Sequence, residues 1–125
     1  MSNPLTLNTT VVLKSGEQYA GIILSFDETP AYHLILLPGE KNNIQWAAAR
    51  GWAADQGGEL PSRREQSLLF ANLKDQFTPD FYWSSDQDED FSSLAGCQNF
   101  GDGYQDDAGV RGRLHARAVR RVYIG

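Results

Sequence analysis

The chain has 125 residues, of which 41% are hydrophobic and 11% aromatic, and 16 Asp and Glu against 11 Lys and Arg leave it at a net charge of -5. That length and apolar content predict a single folded domain with its own core, not a disordered tail. The negative charge argues against direct binding of nucleic acid or of an anionic membrane, and a lone cysteine, Cys97, excludes an internal disulfide and a cysteine-based metal site.

Residues 11–14 and 19–26, on either side of Ser15-Gly16, predict a hairpin with a glycine turn. Asp27-Glu28-Thr29-Pro30 reads as a second turn. Residues 32–37 form a continuous apolar run, expected as a strand buried on both faces, and Pro38-Gly39-Glu40 ends it. A helix should follow Asn43, with Ile44, Ala47, Ala48 and Trp52 on its inner face and a glycine C-cap at Gly57-Gly58. Ser62 and Glu65 have capping-box spacing. Leu68, Leu69 and Leu73 supply the core stripe of the second helix, with Phe70 nearby. Arg63 and Arg64 in its first turn oppose the helix dipole, so partners among Asp or Glu across the fold are expected for them. Beyond Pro79 the pattern is strand and loop. Tyr82-Trp83 opens a strand, 86–90 is an acidic loop, 95–100 is a strand and Gly101-Asp102-Gly103 is its turn. Residues 104–112 are polar with glycines, and 114–124 predict one closing strand with Leu114, Ala116, Ala118 and Val122 facing the core. The expected class is α+β: two helices packed on a small, mostly antiparallel sheet with long loops, the helices inserted between strands that pair near the ends of the chain.

Charge is segregated in the last third. Residues 86–107 carry seven acids and no base, and 111–121 carry five arginines and no acid. Pairing of these arginines with the acidic loops across the sheet is the plain expectation. Exposed pairs contribute only about 0–1 kcal/mol each, so a bipolar binding surface is the alternative.

Catalytic signals are sparse. Asp86, Asp88 and Asp90 alternate as D-Q-D-E-D, but the glycine and distal glutamate of an EF-hand loop are missing, so a solvated acidic loop without metal is expected. His33 sits in the apolar strand and reads as a core or edge histidine. His115 lies among arginines, which disfavour its protonation. Neither has a spacing to Cys97 or a serine that pairs a nucleophile with a base, and Cys97 reads as a small buried hydrophobe. Gly101-Asp102-Gly103 is too short for a phosphate loop. Gly16 and Gly21 followed by Asp27 resemble the first motif of Sm-like RNA-binding proteins over about 17 residues, a spacing that an ordinary hairpin also produces. No cofactor is expected. Residues 1–10 lack a basic start and a long apolar run, so no signal peptide is expected, and residues 34–37 are too short an apolar stretch to span a bilayer.

Five segments in order carry a family resemblance: Trp46 to Trp52, Gly57 to Arg63, Tyr82 to Ser85, Phe100 to Gly103, and Arg117 to Arg120. Over about two thirds of the chain they resemble the small C-type-lectin-like domains of phage and prophage proteins. They are similar to the family that includes the C-terminal domain of a bacterial collagen-like adhesin, and more distantly to the formylglycine-generating-enzyme fold. The resemblance implies a C-type-lectin-like fold whose ligand surface lies on the loops between the last strands. The lectin calcium signature and a second cysteine are both absent, so neither calcium-dependent sugar binding nor formylglycine chemistry is carried over. Rigid sheets holding adaptable polar and aromatic loops suit recognition. The ligand-contact candidates are therefore Asp86, Asp88, Asp90, Phe91, Asp102, Tyr104, Gln105, Asp106, Asp107 and Arg111, on loops 86–94 and 102–112. Trp83 and Phe100 are assigned to the core.

The functional expectation is a non-catalytic binding module, phage- or prophage-encoded, for a protein or surface glycan. It would act in the host cytoplasm or on a virion, by homo-oligomerisation or by assembly with a virion protein. A second expectation is a small acidic intracellular inhibitor of the anti-defence type that occupies a basic site on a host protein. An enzyme would need a convergent acid/base pair or a metal, which the sequence does not supply.

Overall fold

The computed structural model describes residues 11–124; the expectation about a signal peptide concerns residues 1–10 and lies outside the described residues. In chain order the elements are β1 (Gln18–Ile23), β2 (Tyr32–Leu36), β3 (Lys41–Ile44), α1 (Trp46–Asp55), α2 (Arg63–Leu73), a short 3-10 helix (Lys74–Gln76), β4 (Phe81–Gln87), β5 (Leu94–Asn99), β6 (Gln105–Gly109), β7 (Leu114–Ala116) and β8 (Val119–Tyr123). The class is α+β, as expected, but the strands form two sheets. One has the order β1-β2-β8 and the other β3-β7-β4-β5-β6. All ladders are antiparallel except β4 against β7.

Four sequence expectations need correction. Residues 11–14 are not a strand; the hairpin partner of β1 is β2, and the register runs from Gln18 opposite Leu36 to Ile23 opposite Tyr32. Val12 and Leu13 lie at the surface, so their apolar character did not mark a paired strand. Residues 41–44 form β3, and the helix starts only at Trp46 after the extended Gln45. Its inner face is Trp46, Ala49 and Ala53; Ala47 and Ala48 are exposed and Trp52 is half-buried. A helix with alanine on every side has little periodicity to set its phase. The polar stretch after Gly103 is mostly strand: β6 pairs with β5 from Gln105 opposite Gln98 to Gly109 opposite Leu94. As an outer strand it is held by its backbone ladder, so it needs no apolar face.

The single closing strand is two, β7 and β8, in different sheets. Arg117, between them, is buried. Its guanidinium donates to the carbonyls of Gln76 (2.6 Å) and Leu37 (2.9 Å) and lies over the Phe77 ring. The chain thus crosses from one sheet to the other around an internal cation.

Each helix seals one core. Trp46, Ala49 and Ala53 of α1 meet Trp83, Cys97 and Ala116. Both indoles are satisfied: Trp46 Nε1 donates to Ser84 O and Trp83 Nε1 to Ile44 O, each at 2.8 Å. On the other side Leu69 of α2 meets Tyr32, Leu34, Leu36, Phe77, Tyr82 and Phe100. The rings of Phe77 and Phe100 stack with centroids 3.9 Å apart. The strand read as buried on both faces is so, since all of β2 is buried. The glycine end of α1 is also as expected: the Gly57 and Gly58 amides donate back to Ala54 and Ala53. Gly58 has a second reason to lack a side chain, because a Cβ there would collide with the Val119 carbonyl. Among the described residues no helix is long and apolar enough to cross a membrane.

Candidate binding surface

The N-terminus of α2 organises the surface. Its first amides lack helical acceptors, and three oxygens supply them. Ser62 Oγ accepts from the Glu65 amide (3.1 Å), Glu65 Oε1 from the Ser62 amide (2.8 Å), and Asp86 Oδ2 from the Arg63 amide (2.8 Å). The capping box read from sequence is therefore present, and Asp86, read as a ligand contact, is fixed as a third cap. Arg63 finds the acidic partner expected for it: its guanidinium pairs with the Asp107 carboxylate on β6 and donates to Asp106 O at 3.1 Å. Gly96 makes that path possible, since a Cβ on Gly96 would lie 2.6 Å from Arg63 Nε. Among the described residues Arg64 finds no carboxylate; it donates to Leu24 O (3.3 Å) and covers the Phe26 ring.

A ladder of amides braces the same helix against the five-stranded sheet. Gln105 Nε2 donates to Gln98 Oε1 (2.7 Å) and Arg63 O (2.8 Å), and Gln98 Nε2 to Gln66 O (3.2 Å). Gln66 Nε2 reaches the carbonyls of Tyr82 and Trp83 at 3.1 and 3.2 Å. Glu65 and Gln66 have no exposed surface. They occupy the inner face of α2 beside Leu69, while Leu68, Phe70 and Leu73 are half-buried. Apolar periodicity could not find these polar residues; the capping-box motif pointed to Glu65 alone.

Where α2, β4 and β6 meet, a cleft of about 330 Å³ is lined by Arg63, Asp86, Gln87, Asp88, Glu89 and Asp107. The turn after β4 is held from within: Asp88 Oδ1 accepts from the amides of Asp90 and Phe91, each at 2.9 Å. Arg63 is the cation of this cleft and is engaged by Asp107. Among the described residues, Asp86, Asp88, Glu89, Asp90 and Asp106 have no Lys or Arg within ion-pair distance. Among the described residues no group of three or more His, Cys, Asp or Glu is arranged to hold a metal. A second groove, about 410 Å³, adjoins the cleft through shared Arg63 and Asp86 and is walled by Leu24, Phe26 and Tyr32. A larger depression of about 580 Å³ runs along the outer side of α1, past Ala47, Gly51 and Ala54. Its charged rim, Arg50 and Glu59, is already occupied by contacts with Trp46 and Arg121.

The predicted contact residues thus divide. Asp86, Asp88 and Asp107 line the cleft, and Asp90 and Phe91 stand beside it on the 88–93 connection. Phe91 is 62% exposed. Asp106 and Gln105 belong to β6, not to a loop, and Gln105 is committed to the amide ladder. Arg111 lies on the turn after β6, at the same end of the β5–β6 ladder as the 88–93 connection. Asp102 and Tyr104 are at the opposite end of that ladder, in the turn between β5 and β6, where Asp102 accepts from the Tyr104 amide. One continuous ligand loop from 102 to 112 is therefore corrected to a turn, a strand and a second turn.

The arginines of the last third do not pair with the acids of 86–107. Arg120 engages Glu17 (2.8 Å), and Arg121 engages Glu59 (2.8 Å) and the buried Glu65 (2.6 Å). The Arg120 hydrogen bond, ahead of an opposing burial effect, brings the Glu17 carboxyl down to about 2. Burial and the Glu65 carboxylate push the Tyr32 hydroxyl above its usual range, and Tyr32 donates to Glu65 at 2.5 Å. His115 is likewise corrected, because its neighbours are not arginines. Its ring nitrogens face Asn42 Oδ1 (2.6 Å) and the Asp80 carboxylate (3.2 Å), with Glu40 at 3.9 Å. His33 is buried, bonds the Tyr19 hydroxyl through Nδ1, and among the described residues has no partner at Nε2. Cys97 is buried as expected. No protein-family model matches the chain, and no curated protein matches it.

Proposed function

We propose that the chain is a non-catalytic binding module, C-type-lectin-like and of phage or prophage type, whose acidic face around the 86–89 cleft engages a basic surface on a partner protein. The observation that carries this reading is the uncompensated charge of that face. Asp86, Asp88 and Glu89 converge on a concave site whose cation, Arg63, is already paired with Asp107. Like charges held together with no cation left to balance them are relieved when a cationic partner arrives, and such fields raise association rates and select partners by sign. The backbone beneath is fixed by the α2 caps and the Asp88 turn, so little order has to be gained on binding. The same field repels phosphates, which supports a protein ligand over nucleic acid. The family resemblance supports a recognition role, with the ligand surface near the last strands. The inhibitor reading shares this surface and differs only in the partner: a host protein whose basic site is blocked.

The test is affinity capture from host-cell extract with the wild type beside a Glu89→Lys/Asp90→Lys variant of unchanged melting temperature. Capture of a basic protein is expected, lost in the variant and weakened between about 0.1 M and about 1 M salt, where the screening length falls from about 10 Å to about 3 Å. Capture that ignores both the variant and the salt overturns the reading, and so does selective retention of a neutral glycan.

A further inference from the structure

We infer that the acidic cleft and the apolar groove beside it form one docking surface, and that its occupant is a partner segment carrying a large apolar side chain next to Lys or Arg. The inference rests on the acidic-face reading and adds to it the apolar half of the site and the chemistry of the partner.

The groove lies between the β1–β2 connection and the start of α2. Leu24 and Phe26 stand at its rim, 69% and 61% exposed. Their exposure is built in. Phe26 and Thr29 exchange two backbone hydrogen bonds, at 3.1 and 2.9 Å, closing a tight turn with Asp27 at φ +54. The Phe26 ring meets the Arg64 guanidinium on one side. Tyr32 lies deeper, its hydroxyl tied to Glu65 and its ring under Arg121. The 26–29 turn holds Phe26 out of the core with Leu24 beside it, and exposed apolar side chains in a preformed concavity are what a large apolar anchor requires.

Charge selects the rest of the occupant. The two depressions share Arg63 and Asp86, so a ligand filling the groove has its flank in the cleft. Together they present Asp86, Asp88, Glu89 and Asp107 against Arg63 and Arg64, and Arg63 is neutralised by Asp107. A phosphate-bearing surface is repelled there, and a second copy of this chain, itself at -5, brings the same sign. A cation beside an apolar anchor complements both halves.

The test is selection of peptides from a random display library on the immobilised protein. The best selected peptide is then titrated by calorimetry against the wild type, Leu24→Ser/Phe26→Ser and Glu89→Lys/Asp90→Lys. All four substituted residues are at the surface, and circular dichroism establishes that the variants fold. Selected peptides are expected to join Leu, Phe or Trp to Lys or Arg, and each variant is expected to weaken binding at least tenfold. No enrichment, or enrichment of peptides lacking either the apolar or the basic residue, overturns the inference. If only the charge variant weakens binding, the acidic face stands and the composite site falls. If neither does, both fall. Self-association of the wild type that is lost in Leu24→Ser/Phe26→Ser assigns the groove to a second copy and also overturns it.

Discussion

Removing the Arg121 guanidinium tests the buried charge that anchors α2. In Arg121→Ala, Glu65 has no exposed surface to retreat to. It keeps the Tyr32 hydroxyl and the Ser62 amide as donors but loses two charge-assisted bonds, at 2.6 and 2.8 Å. Breaking a buried pair from one side costs about 3–5 kcal/mol, because the remaining ion is desolvated without compensation. The Glu59 contact adds little, since that side chain is 68% exposed. At about 4 °C per kcal/mol for a domain of this size, thermal denaturation at neutral pH should show a fall of about 12–20 °C. The pH dependence checks the cause. Burial alone would raise the Glu65 carboxyl, but the Arg121 and Tyr32 hydrogen bonds outweigh it and hold the group below its ordinary value of 4.5. A carboxyl depressed in the folded state stabilises it above that ordinary value, and the stabilisation is lost as pH falls through the folded value. Without Arg121 burial prevails, the folded carboxyl rises, and acid protonates it at little cost. The gap between wild type and variant should therefore narrow as pH falls, first above pH 4.5, where the variant's raised carboxyl protonates, and further below it, where the wild type loses its own stabilisation. Replacing both partners, Glu65→Leu with Arg121→Met, should recover part of the loss, because no ion is then left buried, while the Tyr32 hydroxyl and the Ser62 amide lose their acceptor. A loss under about 1 kcal/mol for Arg121→Ala, against the 3–5 expected of a buried pair, or a gap that does not change with pH, would refute the reasoning.

Trp83→Ala removes a fully buried indole and its bond to Ile44 O; a loss of about 3–5 kcal/mol is expected in urea denaturation, and an unchanged midpoint would remove Trp83 from the core. Gly96→Ala places a methyl group against Arg63 Nε and Ser84 Oγ, at 2.6 and 2.7 Å. It should cost about 1–3 kcal/mol by chemical denaturation, whereas Gly109→Ala, with nothing within 4 Å of the added atom, serves as the neutral control. Cys97 is buried, and burial, with the Asp106 charge behind it, pushes its thiol up to about 11. A thiol reagent at neutral pH should therefore label it only in denaturant, and rapid labelling of the native protein would contradict its placement. Glu17→Gln weakens the tie to Arg120. With the wild-type carboxyl held at about 2, the stabilisation lost should be full above pH 4.5 and fade between that value and pH 2 in an acid titration followed by circular dichroism.

What the sequence made legible was set by local chemistry. The Ser62–Glu65 capping box, the Gly57-Gly58 helix end and the all-buried strand at 32–36 are each decided by residues close together in the chain, and each stands in the structure. The phase of α1 was not decided locally, because alanine at 47, 48, 49 and 53 fits either side of a helix and only Trp46, packing under Ser84, selects one. β6 carries no apolar alternation, since its stability comes from the β5 ladder and its acids face outward. The closing segment read as one strand because Leu114, Ala116 and Ala118 alternate properly; the transfer between sheets depends on the Arg117 contacts with Leu37 and Gln76, roughly eighty and forty residues away. At the candidate site, Asp86, Asp88 and Asp107 were visible as acids in polar segments between strand signals. Arg63 was marked by its unfavourable place in the first turn of α2, though not by which acid it meets; Gly96 and the Leu24–Phe26 rim were not marked, because their roles exist only once α2, β5 and the β1–β2 connection are brought together.

The fate of the arginines explains how a charge pattern in the chain becomes a field on one face. Five arginines follow the acidic run in sequence, and a two-stranded exchange between the runs would have neutralised both. The fold spends three of them elsewhere: Arg117 on buried carbonyls, Arg120 on Glu17, and Arg121 on Glu59 and Glu65. Each of these contacts ties β8, or the crossing into it, to residues far earlier in the chain. The acids at 86–90 lie on the other sheet and the turn after it, and among the described residues none pairs with a Lys or Arg side chain; Arg63 gives its guanidinium to Asp107 and its backbone amide to Asp86. Interior demand for cations thus leaves the carboxylates of the cleft exposed together. A substitution that frees Arg121 from Glu65 should therefore weaken the fold without neutralising the cleft, while Glu89→Lys/Asp90→Lys, at two exposed positions, should offset the charge of the cleft without weakening the fold. Separation of those two effects in one pair of variants is what distinguishes a surface shaped for a partner from charge left over by folding.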